Sequence, residues 1–377
     1  MDVVLEVFDG LMFDRLYANI LPIQSASSFD PISTLTAGFK GYGGNDTAWQ
    51  AASQGADMGL QRSAWEYKPA SQYLQVQPSE YAWMSRWDRD DAWRQTVSLY
   101  IITWLFGLVI YFLCASLSYI FVFDKDTFNH PKYLKNQMRM EIKQTLESIP
   151  IMAIFTVPAF VAEVRGHSFI YDNISDISHP ILTLFGSSWN YLQFPLFILF
   201  TDFCIYWIHR GLHHPKVYKR LHKPHHKWIM PTPFASHAFH PLDGFSQSVP
   251  YHLFPFIFPL HKFAYIALFT FIQIWTVMIH DGEYVANSPI INGAACHTMH
   301  HLYFNYNYGQ FTTLWDRLGG SYRKPNDELF QKDQKMSKDE WSRQSKEMEK
   351  MVKEVEGKDD RSYGPEETFV RRRQKVA

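Results

Sequence analysis

Cysteine is scarce: Cys114, Cys204 and Cys296 are the whole complement in 377 residues. An odd, scattered set makes a poor disulfide framework, and all three read as buried free thiols. Net charge is also missing, with 36 Lys+Arg against 37 Asp+Glu. That balance gives no electrostatic reason to expect nucleic acid as a partner. No G-x-G-x-x-G and no Walker loop occur, so a nicotinamide or nucleotide held in a Rossmann or P-loop site is not expected. The absence of H-E-x-x-H argues against a zinc protease. Glu-x-x-His, the carboxylate-rich signature of soluble di-iron bundles, is absent as well. The first residues lack a basic region ahead of a short apolar core, so no secretory signal is expected. Instead Val3, Val4, Val7, Phe8, Leu11, Phe13 and Leu16 recur at helical spacing around Glu6, Asp9 and Asp14, which predicts an amphipathic packing helix.

Charge disappears altogether from Val97 to Phe123. A helix of that length, at ~1.5 Å per residue, crosses ~30 Å of hydrocarbon. Three further apolar runs follow: Ile149 to Val161, short and carrying Pro150 and Pro158; Ile181 to Ile208, broken by Asp202; and about Val249 to Ile279, holding Pro250, Pro255, Pro259 and the pair His261-Lys262. The last reads as two half-length pieces with a polar bend. The expected architecture is all-α: a polytopic membrane bundle of about four apolar spans, the last a hairpin or re-entrant pair, beneath a His-rich helical cap holding two metals. The expected divisions are 1–95, an amphipathic then irregular segment; 96–208, transmembrane helices; 194–322, the His-rich region; and 323–377, a charged tail read as a solvated helix with frayed ends.

Histidine is what the chain has in clusters. Twelve of its 17 His fall into five groups: His209, His213 and His214; His222, His225 and His226; His237 and His240; His280; and His297, His300 and His301. Residues at i, i+3 and i+4 share a helix face, so each H-x-x-x-H or H-x-x-H-H box can present imidazoles together. Neutral imidazole is the commonest protein metal ligand and suits iron, zinc and copper. About ten convergent imidazoles exceed the roughly four that one zinc ion takes, and suit two ions. Asp202, two turns before His209, is a candidate to accept the second N–H of a ligand His and fix its tautomer. Asp243 and Asp281 are candidates for the same role, and helix capping is the plain alternative for each. His130, His167, His179, His252 and His261 lie outside the clusters and read as packing residues.

If the His clusters share one site, the fourth apolar run must return to the side it left. Lys132, Lys135, Arg139 and Lys143 after the first run suggest a cytosolic loop, which places the His region in the cytosol too. The N-terminal segment and the loop near residue 173 are then lumenal, and each holds an N-x-S/T sequon, at Asn45 and Asn173.

From Phe194 to Tyr322 the boxes resemble the fatty acid hydroxylase/sterol desaturase superfamily. More narrowly, the runs Trp207–His214, His222–Lys227 and Ser236–Gly244, with the opening Met1–Val7, resemble the sterol C5-desaturases of fungi. That resemblance implies an endoplasmic-reticulum enzyme of ergosterol synthesis. It would introduce the C5=C6 double bond into a Δ7-sterol of the episterol type with O2, taking electrons from NADH through cytochrome b5 and its reductase. It implies two iron ions, with zinc an alternative in a purified sample. The implied ligands are His209, His213, His222, His225, His226, His240, His280, His297, His300 and His301. His214 and His237 stay open between ligand and partner of a ligand. Asn305, Gly309, Trp315 and Asp316 match the segment after the last box, as scaffold. Implied partners are the sterol drawn from the bilayer, O2, membrane lipids and the acidic cytochrome b5. Arg210, Lys219, Arg220, Lys223 and Lys227 form a candidate docking face for that cytochrome, with anchoring at the membrane surface as the alternative. A hydroxylase of the same superfamily, acting on a C4-methyl sterol, a sphingoid base or a fatty acyl chain, shares these boxes. A membrane zinc-binding protein is the reading from another class.

Overall fold

A computed structural model describes residues 1–23, 64–285 and 287–364. The Asn45 sequon and Arg371–Arg373 lie outside them. The chain divides into two compact units.

The first unit comprises Met1–Thr103 and Val157–His167. Its N-terminal helices are α1 (Asp2–Phe8) and α2 (Asp14–Ile20), joined by a π-helical turn over Asp9–Phe13. The expected helix is there, and Val3 and Phe13 pack inward as expected, but three acids are buried with them. Glu6, Asp9 and Asp14 are buried, while Leu11 is 75% and Ile20 55% exposed. The buried acids are all partnered. Arg89 donates to both oxygens of Asp14, at 2.9 and 2.5 Å. Arg94 reaches Asp9 at 2.8 Å and Asp14 at 2.6 Å. Glu6 accepts from the Tyr67 hydroxyl at 2.5 Å and the Ala70 amide at 2.8 Å. Buried acids paired in this way, beside exposed apolar side chains such as Leu11 and Ile20, suit lipid surroundings.

Two candidate spans come next, α3 (Ala92–Phe121) and α4 (Gln137–Val164). α4 starts twelve residues before its apolar run and continues through both prolines. Its early turns are helical because Gln137, Glu141, Thr145 and Ser148, at steps of three and four, are buried polar residues. In the second unit, Trp104–Thr156 and Ser168–Ala377, these early turns hold an irregular stretch in place. Gln137 Nε2 donates to the Met230 carbonyl at 2.7 Å and Gln144 Nε2 to the Ala238 carbonyl at 2.8 Å. The Ser148 hydroxyl donates to the Phe239 carbonyl.

The third candidate span is Pro180–Leu212, mostly α5 (Trp189–Leu212). It runs out into the short helices α6 (Pro215–Leu221) and α7 (Lys223–His226). The fourth apolar run is a helical hairpin. Its limbs are α8 (Pro241–Ile257) and the candidate span α9 (Lys262–Ile279). The limbs have 17 and 18 residues, so each is ~25 Å long and not half-length, because the polar stretch from Pro241 is helical as well. β1 (Ile170–Tyr171) and β2 (Leu260–His261) pair in parallel at the bend. The mouth of the hairpin lies at the His clusters: Asp243 in the first turn of α8 bonds His222, and His280 ends α9. The doubling back that the His positions demand is therefore present, and the all-α polytopic architecture with it.

After the hairpin come α10 (Ala294–Tyr303), α11 (Leu314–Leu318) and α12 (Lys338–Val355). The charged tail differs from the expected solvated helix. Gln344, Met348 and Val352 form a buried stripe at four-residue steps, and Met348 and Val352 join the core formed by Met299, Leu302 and Tyr303 of α10. Beyond α12 the Arg361 guanidinium pairs with the buried Glu356 carboxylate at 2.7 Å and donates to the His226 carbonyl at 3.0 Å. Glu356 also accepts from the Tyr218 hydroxyl at 2.9 Å.

Candidate metal centre

Nine imidazoles converge in two groups. His209, His213, His222, His226 and His300 form the first; His225, His280, His297 and His301 form the second. Within each group one nitrogen from every ring lies within 4.8 Å of all the others. All nine rings are buried, four of them (His222, His226, His300, His301) with no exposed surface.

Helix geometry explains the division. Successive residues on an α-helix point about 100° apart, while i and i+4 nearly coincide. So His222 and His226 face one group, while His225, expected on the same face, turns to the other. In α10 His297 and His301 share a face, and His300 points to the first group. Each H-x-x-H-H box thus feeds both groups, and the doubled His is what allows it.

Several rings are aimed by a second contact. Nδ1 of His222 donates to the Asp243 carboxylate at 2.8 Å. Nδ1 of His209 donates to the Tyr308 carbonyl at 2.9 Å, that of His300 to the Tyr306 carbonyl at 2.7 Å, and that of His280 to the Thr276 carbonyl at 2.7 Å. A carbonyl or carboxylate oxygen only accepts, so the proton sits on Nδ1 and Nε2 carries a bare lone pair. This is the tautomer that metal-ligating His adopts.

The donor set fits metal ions. Nε2 of His209 and Nε2 of His222 stand 3.1 Å apart, and both are bare by the argument above. Two facing lone pairs repel unless a cation lies between them. Nitrogens each ~2.1 Å from one ion are separated by about 3.0–3.4 Å for right-angle to tetrahedral arrangements. Contacts of 3.0 Å for His280–His297, 3.2 Å for His297–His301 and 2.9 Å for His226–His300 match that spacing. Neither nitrogen of the buried His213 has a hydrogen-bond partner in the protein. Burial, and then the neighbouring imidazoles, push the pKa values of His213, His225, His226, His297, His300 and His301 well below the usual 6.5. Burial takes His280 down to about 3. These seven rings are therefore held neutral, as ligands must be.

The remaining candidates lie elsewhere. His240 caps the N-terminus of α8, its Nδ1 accepting from the Leu242 amide at 3.2 Å. His214 caps α6 in the same way, accepting from Lys216 at 3.3 Å, and is exposed. His237 is buried and bridges Ser236 at 3.0 Å and Gln273 at 2.9 Å. Asp202 orients no imidazole directly; its carboxylate is occupied by the amides of residues 310–312. Asp281 accepts from the Glu283 amide at 2.8 Å, and burial raises its pKa to about 7. Among the three carboxylates, Asp243 is the one bonded to a clustered His. The carbonyls of Thr276, Tyr306 and Tyr308 carry no side-chain signal that a sequence pattern could reveal. Replacing Asp243 by Ala is expected to weaken metal binding about 10–100-fold. Titrating metal into stripped protein measures this; wild-type affinity would remove Asp243 from the site.

A family model for fatty acid hydroxylases matches residues 194–321. A delta(7)-sterol 5(6)-desaturase of Leptosphaeria maculans is 61% identical over 96% of this chain and 97% of its own. A delta(7)-sterol 5(6)-desaturase of Aspergillus fumigatus is 59% identical, over 96% and 97%. A probable delta(7)-sterol 5(6)-desaturase of Neurospora crassa is 60% identical, over 98% and 99%. No solved structure matches.

Proposed function

The chain belongs to the delta(7)-sterol 5(6)-desaturase family, and on that premise we propose that it introduces the C5=C6 double bond into an episterol-type sterol of ergosterol synthesis. Identity of 59–61% over 96–98% of the chain to two proteins of that name and a third named as probable carries the reading, and the two buried imidazole groups supply a place for the chemistry. The reaction balances as one O2, two electrons and two protons, with two hydrogens leaving the sterol and two waters formed. Two bound irons would supply the activation of O2 and the oxidising power.

The chain's own residues do the rest. Nine buried imidazoles provide neutral donors, and Asp243 with the carbonyls of Thr276, Tyr306 and Tyr308 fixes four of them in orientation. Burial of the whole set excludes water, which protects the oxidation from side reactions. Holding the sterol ring at a fixed distance favours loss of the second hydrogen over oxygen transfer, a positioning effect that costs large factors per ångström.

Electrons come from NADH through cytochrome b5 and its reductase on this reading, with the His region on the cytosolic face of the endoplasmic reticulum. Of the basic residues suggested for docking, Lys223 is engaged by Glu356 at 3.1 Å and Asp360 at 2.9 Å. Arg210 is bound to the Tyr206 hydroxyl at 2.6 Å. Lys219 and Arg220 remain exposed and are the better candidates for an acidic partner.

Sterol profiling tests the assignment. A strain lacking the gene is expected to accumulate Δ7-sterols, lose Δ5,7-sterols and keep normal sphingolipids. Unchanged Δ5,7-sterols would sink the desaturase reading, and a defect confined to hydroxylated sphingolipids or fatty acids would favour a hydroxylase.

A further inference from the structure

The backbone from Asn287 to Leu318 is irregular apart from α10 and α11, yet its two loops lie along a candidate span. Asp202 is seven residues inward of His209 on α5, about 10 Å at ~1.5 Å per residue. Its carboxylate accepts from the amides of Gln310 at 2.9 Å, Phe311 at 2.7 Å and Thr312 at 3.1 Å, and from the Thr312 hydroxyl at 2.5 Å. Trp315 packs edge-on to Phe203, with ring centroids 4.8 Å apart. Farther from His209, Phe194, Ile198 and Leu199 of α5 share with Ile290 and Leu314 the walls of an open cavity of about 580 Å³. Residues that follow the His-bearing end of the hairpin thus reach back along α5, past its midpoint.

Two properties suit that depth. The first is backbone satisfaction, although the side-chain atoms Asn292 Oδ1 and Trp315 Nε1 have no partner. Hydrocarbon has no water to bond exposed backbone, so irregular chain survives there only if its polar groups are paired within the protein. Besides the three amides on Asp202, Asn292 donates its amide to Phe311 at 2.9 Å and Thr313 its amide to Ile290 at 2.8 Å. The indole of Trp275, on α9, donates to the Gln310 carbonyl at 2.8 Å. Arg317 is folded back, donating to the Pro289 carbonyl at 3.0 Å and lying 4.0 Å over the Tyr322 ring. The second property is the outer surface. Ile290 is 68%, Leu314 41% and Leu318 72% exposed, and Ile290 and Leu314 line one open cavity with the exposed Phe194 and Leu199 of α5.

We propose that the loops of residues 287–292 and 309–318 form a re-entrant, lipid-immersed part of the metal-bearing region, covered at Ile290, Leu314 and Leu318 by acyl chains of the bilayer. The continuity with a spanning helix selects lipid as the partner. Asp202 is then a carboxylate that keeps loop amides satisfied inside the membrane.

The test uses protein in lipid nanodiscs, where both aqueous faces are open. Single cysteines are placed at Ile290→Cys and Leu318→Cys after Cys114, Cys204 and Cys296 are changed to Ala, with Lys219→Cys as the water-facing reference. A thiol in hydrocarbon surroundings stays protonated, so a charged maleimide is expected to react at least about tenfold more slowly at Ile290→Cys and Leu318→Cys than at the reference. Equal rates overturn the proposal. The unmodified protein gives a second measurement that needs no variant to fold. With a phosphatidylcholine carrying a diazirine on its acyl chain, adducts are expected on peptides covering 287–292 and 309–318. Adducts confined to α3, α4, α5 and α9 overturn it. Neither readout depends on the identity of the reaction.

Discussion

Replacing His225 or His300 by Ala is expected to bring sterol desaturation down to background, but with different losses of metal. His225 belongs to the four-imidazole group and His300 to the five-imidazole group. Without His225, three donors remain, fewer than the about four that an ion usually takes; without His300, four remain. The His225 variant is therefore expected to lose bound metal, and the His300 variant to keep most of it while losing turnover. Metal analysis of purified protein, run beside a sterol assay, checks both. Turnover retained in either variant would refute the assignment. His240 separates the two ligand sets: the resemblance includes it, while the structure places it at the N-cap of α8. On the structural placement, His240→Ala keeps its metal and loses only the modest cap contribution of about 1 kcal/mol.

The second large effect concerns stability. Arg361 and Glu356 form an ion pair whose side chains are 1% and 0% exposed. Removing one partner of such a pair typically costs about 3–5 kcal/mol, because the other charge is left buried. Arg361→Leu is expected to fall toward the lower end, since Lys223 at 3.1 Å and Tyr218 at 2.9 Å still face Glu356. The half-life of the folded protein in detergent at fixed temperature gives the measurement. The double variant Arg361→Leu with Glu356→Leu should recover part of the loss, since it leaves neither buried charge of the pair behind. A half-life unchanged in Arg361→Leu would mean that the tail does not brace α7.

How much of this could be read from the residues depends on where each signal lies. The His boxes were legible because ligand geometry is local: i, i+3 and i+4 spacing survives in sequence. The hairpin was legible because clustered His precede and follow it in the chain, and only a return path brings both sets to one site. The start of α4 was hidden. Gln137, Glu141, Thr145 and Ser148 look like loop composition, and only tertiary packing turns that polar face inward. The i, i+7 spacing sets Asp202 on the face of His209 but carries no sign that its carboxylate is taken by the amides of residues 310–312. The tail misled most. Its many charges suggested a solvated helix, and the stripe of Gln344, Met348 and Val352 is only three residues wide. Asp243 stood equal with two other acids until its distance to His222 was known.

The position of the Arg361 clamp has a consequence for biosynthesis. A ribosome makes every clustered imidazole before it makes the residue that braces them from behind. From His301, the last of the nine, to Arg361 is about 60 residues, roughly 3–12 s of elongation at ~5–20 residues per second. During that interval every clustered imidazole has been made and its backing has not. An ion bound in that interval would meet the cluster unbraced, and one arriving later would find Arg361 already against His226.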